Sequence, residues 1–222
     1  MQVTKWVLLP TGLIGAMVLA VVLVNHWLNW RKRGIVEAGA RIGLTAPAEG
    51  EKLIVPLVPL IDRPRRKYPV ILAGTINGYS GWFFDLFVGT GENWNLQSAV
   101  LLRDPDVGMP RFQLRTPQWS QMNQRIRGDS VGLPGREHEM RRLKLTSDDP
   151  DWALNTFSRA SSGFLKKVQQ GRWTIEGLDH DLVIYRWGMR VPAGRLKAYV
   201  EQAADLGAEM LSLCGQVRGL RV

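Results

Sequence analysis

Asn77-Gly78-Tyr79-Ser80-Gly81, followed at once by Trp82-Phe83-Phe84-Asp85-Leu86-Phe87-Val88, is the stretch on which the fold reading turns. The first five residues have the turn chemistry of a hairpin connection, and the next seven have the β-branched and aromatic content of a strand. With a side-chain period of two, Phe84, Leu86 and Val88 point to one face while Phe83, Asp85 and Phe87 point to the other. Aromatic side chains on both faces predict a sheet that is largely covered on each side.

Working outward, Tyr68 to Ile76, Ser98 to Arg103 and Arg111 to Arg115 are further short strand-like runs bounded by Gly, Pro, Asn or Asp. They predict an antiparallel meander. Upstream, Pro56 and Pro59 restrict Leu53 to Ile61 to an extended arm or an edge strand. Downstream, Gln118 to Glu139 is polar and aperiodic and reads as a long excursion before a strand at Met140 to Leu145. Ser147-Asp148-Asp149-Pro150 then offers acidic caps and a first-turn proline, and Trp152, Phe157, Ala160, Phe164 and Val168 form one apolar stripe. A helix from Pro150 to Gln169 follows from this pattern. Arg172 to Glu176 and Asp181 to Trp187, flanking Gly177-Leu178-Asp179-His180, predict a second hairpin. The last element is a helix opened by Pro192, with Leu196, Val200, Ala203, Gly207, Met210 and Cys214 on its buried face, widened by Tyr199, Leu206 and Leu213.

The N-terminal region adds a different expectation. From Trp6 to Trp30 no side chain carries a formal charge, which exceeds the roughly 20 residues needed to cross a hydrocarbon core. Arg31-Lys32-Arg33 follows, whereas only Lys5 and the amino terminus precede it, so the positive-inside rule puts the C-terminal bulk on the cytoplasmic side. The expected organisation is therefore residues 1–33 as outer tail, transmembrane helix and basic inner flank, 34–52 as juxtamembrane connector, and 53–222 as one cytoplasmic domain. The fold class is α+β: one N-terminal transmembrane helix followed by an antiparallel-sheet domain with two packing helices. The expected location is the inner (plasma) membrane, single-pass, with the N-terminus outside. Cys214 is the only cysteine, which excludes an internal disulfide and suits a reducing compartment.

A net charge of +9 raises the question of nucleic acid. Much of the excess instead falls near the expected membrane, at Arg31, Lys32 and Arg33 and again at Arg63, Arg65, Arg66 and Lys67, which assigns these side chains to anionic lipid headgroups rather than to a nucleic-acid partner. Gly12, Gly15, Ala16 and Ala20 give the first helix a small-residue strip on which a neighbouring helix of another integral membrane subunit can pack.

Catalytic patterns are weak. Gly128-Asp129-Ser130-Val131-Gly132 matches the spacing of a nucleophile elbow, but polar Gln121 to Arg127 stands where the buried strand belongs, and Pro134-Gly135 stands where the helix belongs. His138 and His180 are the available bases for Ser130, and neither has a supporting pattern. Glu137-His138-Glu139 and Asp179-His180-Asp181 alternate in direction along an extended chain and so do not converge on one metal ion. Gly89-Thr90-Gly91 lacks the third glycine of a dinucleotide fingerprint, and no phosphate-binding loop is present. No cofactor is implied, and core and interfacial roles account for most of the nine tryptophans.

Gly74 to Gly91 combines a Gly-x-x-Asn-Gly-like hairpin, a Phe-Asp strand and a Thr-Gly turn. Gln97 to Pro117 carries a strand ending before a Pro-x-Phe-x-Leu-x-Pro-like segment, and Leu143 to Met210 contains Thr174-Ile175-Glu176-Gly177 before the closing hairpin and helix. These stretches resemble an uncharacterised bacterial family of membrane-anchored proteins with a cytoplasmic α+β domain. The resemblance covers most of the domain, departs from the family pattern between Gln118 and Arg142, and implies a fold without an established activity.

Three functions follow as expectations. The first is a non-catalytic accessory or scaffold subunit that joins a larger membrane complex, an energy-converting complex for example, through its helix and covers the cytoplasmic face. The second is a membrane-bound serine hydrolase using Ser130, and the third an anionic-lipid or envelope-sensing domain.

Overall fold

The computed structural model describes residues 3–47, 70–90, 93–117 and 129–218. Within them eight strands form a single antiparallel sheet: β1 (Ile71–Ile76), β2 (Tyr79–Thr90), β3 (Asn93–Arg103), β4 (Met109–Arg115), β5 (Asp129–Ser130), β6 (Lys144–Ser147), β7 (Trp173–Asp179) and β8 (Asp181–Arg186). The helices are α1 (Val3–Ala40), α2 (Glu137–Met140), α3 (Pro150–Phe157), α4 (Ser162–Gly171) and α5 (Leu196–Arg218).

β1 and β2 are joined by Asn77 and Gly78, both with positive φ, which is the backbone that lets a two-residue turn match the twist of its strands. β2 pairs with β3 from Ser80 to Thr90. The expected meander stops there. The spatial order is β1-β2-β3-β8-β7-β4-β6-β5, so the C-terminal β7–β8 hairpin sits between β3 and β4. Strands distant in sequence thereby become the centre of the sheet, where both of their edges are hydrogen-bonded.

The predicted alternation in β2 places Phe83 in the main core against Tyr199, with ring centroids 6.4 Å apart, and Phe84 in a second apolar cluster with Ala99, Leu101, Val183 and Tyr185. The predicted stripe of α5 is buried from Leu196 to Cys214. Gly207 sets how closely α5 lies on the sheet: a Cβ there would stand 2.3 Å from Leu102 Cδ1 and 2.9 Å from Ile184 Cδ1. The single helix expected from Pro150 to Gln169 is in fact two. Asp149 caps α3 by accepting the Trp152 N–H at 2.9 Å, α3 ends at Phe157, and Ser161 caps α4 by accepting the Phe164 N–H at 2.9 Å. The break lets Trp152 and Phe157 pack on Phe112 at centroid distances of 5.3 and 5.5 Å while α4 turns to β7 and α5. Among the described residues α3, α4 and α5 pack on the sheet where two helices are expected, and α2 is a further single turn.

Among the described residues no helix is long and apolar enough to cross a membrane, and this overturns the expected transmembrane helix from Trp6 to Trp30. α1 contains that stretch, and the helix continues through Arg31, Lys32, Arg33 and Glu37 to Ala40, its last turns laid on the domain. The expected juxtamembrane connector is likewise corrected over its first part, because residues 34–40 are the last turns of α1. There Arg31, Ile35 and Gly39 are buried and Ala38 and Ile42 partly so, at the three- and four-residue steps of a helix face laid on the domain. Beyond α1 the chain turns back, and Thr45 pairs with Ala73 of β1 through N–H···O bonds of 2.9 and 2.7 Å.

Candidate functional site

Arg31 lies inside the domain. Its Nη1 donates to Asp85 Oδ2 at 2.5 Å, and its Nη2 donates to Asp85 Oδ1 at 3.2 Å and to the Val191 carbonyl at 2.7 Å. The Ser98 hydroxyl donates to Asp85 Oδ1 at 2.6 Å and accepts the Val191 N–H at 3.0 Å. Arg190 Nε adds a second cation 3.9 Å from Asp85 Oδ2, and the Tyr199 hydroxyl donates to the Ser98 carbonyl at 2.8 Å. Asp85 is fully buried and Arg31 retains 7% of its exposure. One cluster thus joins α1, β2, β3, the segment before α5, and α5 itself. A carboxylate with no access to water requires such a set of donors, and a planar guanidinium supplies them in fork geometry.

Arg31 is therefore a buried partner of Asp85 and not the lipid-headgroup contact that its basic flank suggests. The sequence signal for this pairing is Asp85, an acid inside an aromatic strand, which calls for a buried cation from elsewhere in the chain. Lys32 and Arg33 are exposed beside it. Arg63, Arg65, Arg66 and Lys67 lie outside the described residues. Gly12, Gly15 and Ala16 belong to α1, their surroundings lying outside the described residues, and Ala20 is exposed.

The apolar side chains near Ala20 are bare. Met17, Val18, Leu19, Val21, Val22 and Leu23 are all more than half exposed, and Trp30 retains 69% of its surface. Consecutive residues cover every direction around a helix axis, so this segment is uncovered all round.

A second ionisable cluster lies on the sheet face away from α5. Thr146 of β6, Gln113 of β4 and Glu176 of β7 share one register row. Gln113 Nε2 donates to Glu176 Oε1 at 2.6 Å, and the Tyr185 hydroxyl donates to the same oxygen. Glu176 Oε2, Gln113 Oε1 and Thr146 Oγ1 make no hydrogen bond. Burial pushes the Glu176 carboxyl up to about 7, against the opposing pull of Tyr185, Gln113 and the Arg115 and Arg111 charges. Burial and the neighbouring Glu176 also raise the Tyr185 phenol, while burial lowers the Arg115 guanidinium. A protonated Glu176 accepts both bonds on one oxygen and carries its proton on the other.

Ser130 is exposed in the edge strand β5, paired with Thr146. The turn after it runs into a loop rather than a helix. Among the described residues no hydrogen bond joins Ser130 to His138 or His180. His180 sits in the β7–β8 turn with Nδ1 3.0 Å from the Val107 carbonyl, and β4 and β6 intervene between β7 and β5, a separation of roughly 14 Å. His138 is exposed on α2. Among the described residues no group of three His, Cys, Asp or Glu side chains is placed to hold a metal ion.

No protein-family model matches the chain, and no curated protein matches it. Among solved structures it is similar to the crystal structure of the mycobacterial trehalose monomycolate transport factor A, TtfA, at 15% identity and a TM-score of 0.45, over 64% of this chain and 70% of that one. So distant a likeness carries no function to this chain.

Proposed function

We propose that the protein is a non-catalytic accessory or scaffold subunit of a larger membrane protein complex, attached by the apolar part of α1 and covering the complex's cytoplasmic face with its sheet domain. The observation that carries this reading is the pairing of two features on one helix. Residues 17–23 of α1 expose their apolar side chains all round, an arrangement stable in water only when something covers it. A few turns later the same helix is fixed to the domain by the buried Arg31–Asp85 pair. A helix fixed to the domain near its C-terminal end, with a bare apolar segment at residues 17–23, is suited to placing a folded body against a partner. Both buried clusters are occupied in joining elements, and neither presents a reacting group at the surface. The partners are other integral membrane subunits, with anionic lipids meeting the exposed Lys32 and Arg33. The inner membrane is the corresponding location, and the lone, buried Cys214 suits its cytoplasmic side.

Gentle detergent extraction of the full chain from its native membrane, followed by mass spectrometry of what co-purifies in stoichiometric amount, tests the reading. The expected result is one or more integral membrane proteins at fixed ratio. A lone, monodisperse monomer would overturn it.

A further inference from the structure

Away from α1, the corner formed by α2, the turn after it and α4 encloses a cavity of about 420 Å³. Its polar lining is His138, Glu139, Arg141, Arg142, Ser162, Lys166 and Gln169. The charges are unbalanced. Glu139, the one acid, is already engaged: Arg136 donates to its carboxylate, and the Ser162 hydroxyl donates to it as well, the two together holding it below the usual carboxylate range. Among the described residues no acid pairs with Arg141, Arg142 or Lys166, whereas the next lysine of α4, Lys167, has its own partner in Glu209 of α5 at 3.2 Å. Ser162 stands in the first turn of α4, so the positive end of that helix adds to the same potential.

Three cations and an imidazole set round one concavity whose single carboxylate is already paired with Arg136 have a chemical preference. Guanidinium groups match the oxygens of a phosphate in pairs, and a lysine adds a point charge. The volume falls within the roughly 300–1,000 Å³ of small-molecule sites, larger than a phosphate alone requires. We infer that this corner is a binding site for a phosphate monoester group, carried either by an anionic phospholipid headgroup or by a soluble phosphorylated small molecule. The inference stands independently of what covers α1.

The test uses the full chain in a mild non-ionic detergent, titrated calorimetrically with inorganic phosphate at constant ionic strength. Saturable binding is expected in the wild type. It should weaken at least about ten-fold in Arg141→Gln/Arg142→Gln and persist in Arg195→Gln/Lys197→Gln, which removes the same charge elsewhere. All of these side chains are exposed, and an unchanged thermal midpoint shows that each variant is folded. Vesicles of phosphatidylcholine with and without phosphatidic acid separate the two sources. Extra retention on phosphatidic acid that Arg141→Gln/Arg142→Gln abolishes identifies a headgroup, and phosphate binding without that extra retention identifies a soluble ligand. A phosphate response that is absent, does not saturate, or is equal in the two double variants would overturn the site.

Discussion

Asp85 shows what one residue can demand of a chain. It follows Phe83 and Phe84 on a stretch of β2 where all three side chains are buried, and Arg31, Ser98 and Arg190 reach its carboxylate from three other parts of the sequence. Removing one partner strands the other. Arg31→Met should therefore cost about 3–5 kcal/mol in urea unfolding, whereas Arg31→Met with Asp85→Leu should cost less than Arg31→Met alone, because no unpaired charge remains. Glu176 makes the opposite demand, being stable when neutral. Its carboxyl holds its proton to about 7 in the folded protein against an ordinary 4.5. Between these values the native state binds more protons than the unfolded chain, so stability falls as pH rises. The contribution is fully present below pH 4.5 and lost by about pH 7, on the order of 3 kcal/mol. Urea midpoints measured across that window should decline in the wild type, and the decline should be much shallower in Glu176→Gln.

At the scale of elements, the β7–β8 hairpin and α5 organise the domain. The hairpin joins β3 to β4, and α5 lies across β3 and β8 with Gly207 as its point of closest approach. Leu102 and Ile184 fill the space that a side chain at 207 would take. Gly207→Val should consequently lower stability by about 1–3 kcal/mol through overpacking, despite improving helix propensity over glycine, and thermal unfolding checks it. The break between α3 and α4 follows the same logic. The periodic stripe from Trp152 to Val168 is real, but two separately capped helices bring its residues onto β4 and β7 as one straight helix would not.

For the whole molecule, α1 is the decisive asymmetry. Its 38 residues span roughly 57 Å. Among its described side chains the buried ones belong to the last turns, from Arg31 to Gly39, while Met17 to Leu23 are exposed. Replacing Val18, Leu19 and Val22 together by Gln should abolish stoichiometric co-purification with partner subunits while leaving the domain's thermal midpoint unchanged, since these side chains contribute nothing to its core. Retention of the partner by that variant, measured by quantitative mass spectrometry, would place the attachment elsewhere.

Local chemistry made much of this legible. A period of two around Phe83 and Phe84, the Asn77-Gly78 turn, the acidic cap at Asp149 and the stripe from Leu196 to Cys214 all depend on near neighbours, and they mark strands, hairpins and helices along the chain. Other features depend on residues far apart. That β7 and β8 enter between β3 and β4 is decided by which hydrophobic faces fit, and no short window contains that choice. Arg31 reads locally as one of three basic residues flanking an apolar stretch, and only its meeting with Asp85, 54 positions away, makes it a buried structural ion. The same holds for α1 itself. Its composition determined that it is apolar and helical, but how far the helix runs and which residues it commits to the domain were decided by the tertiary packing of Arg31, Ile35 and Gly39, because burial is a property of surfaces that meet only once the chain has folded.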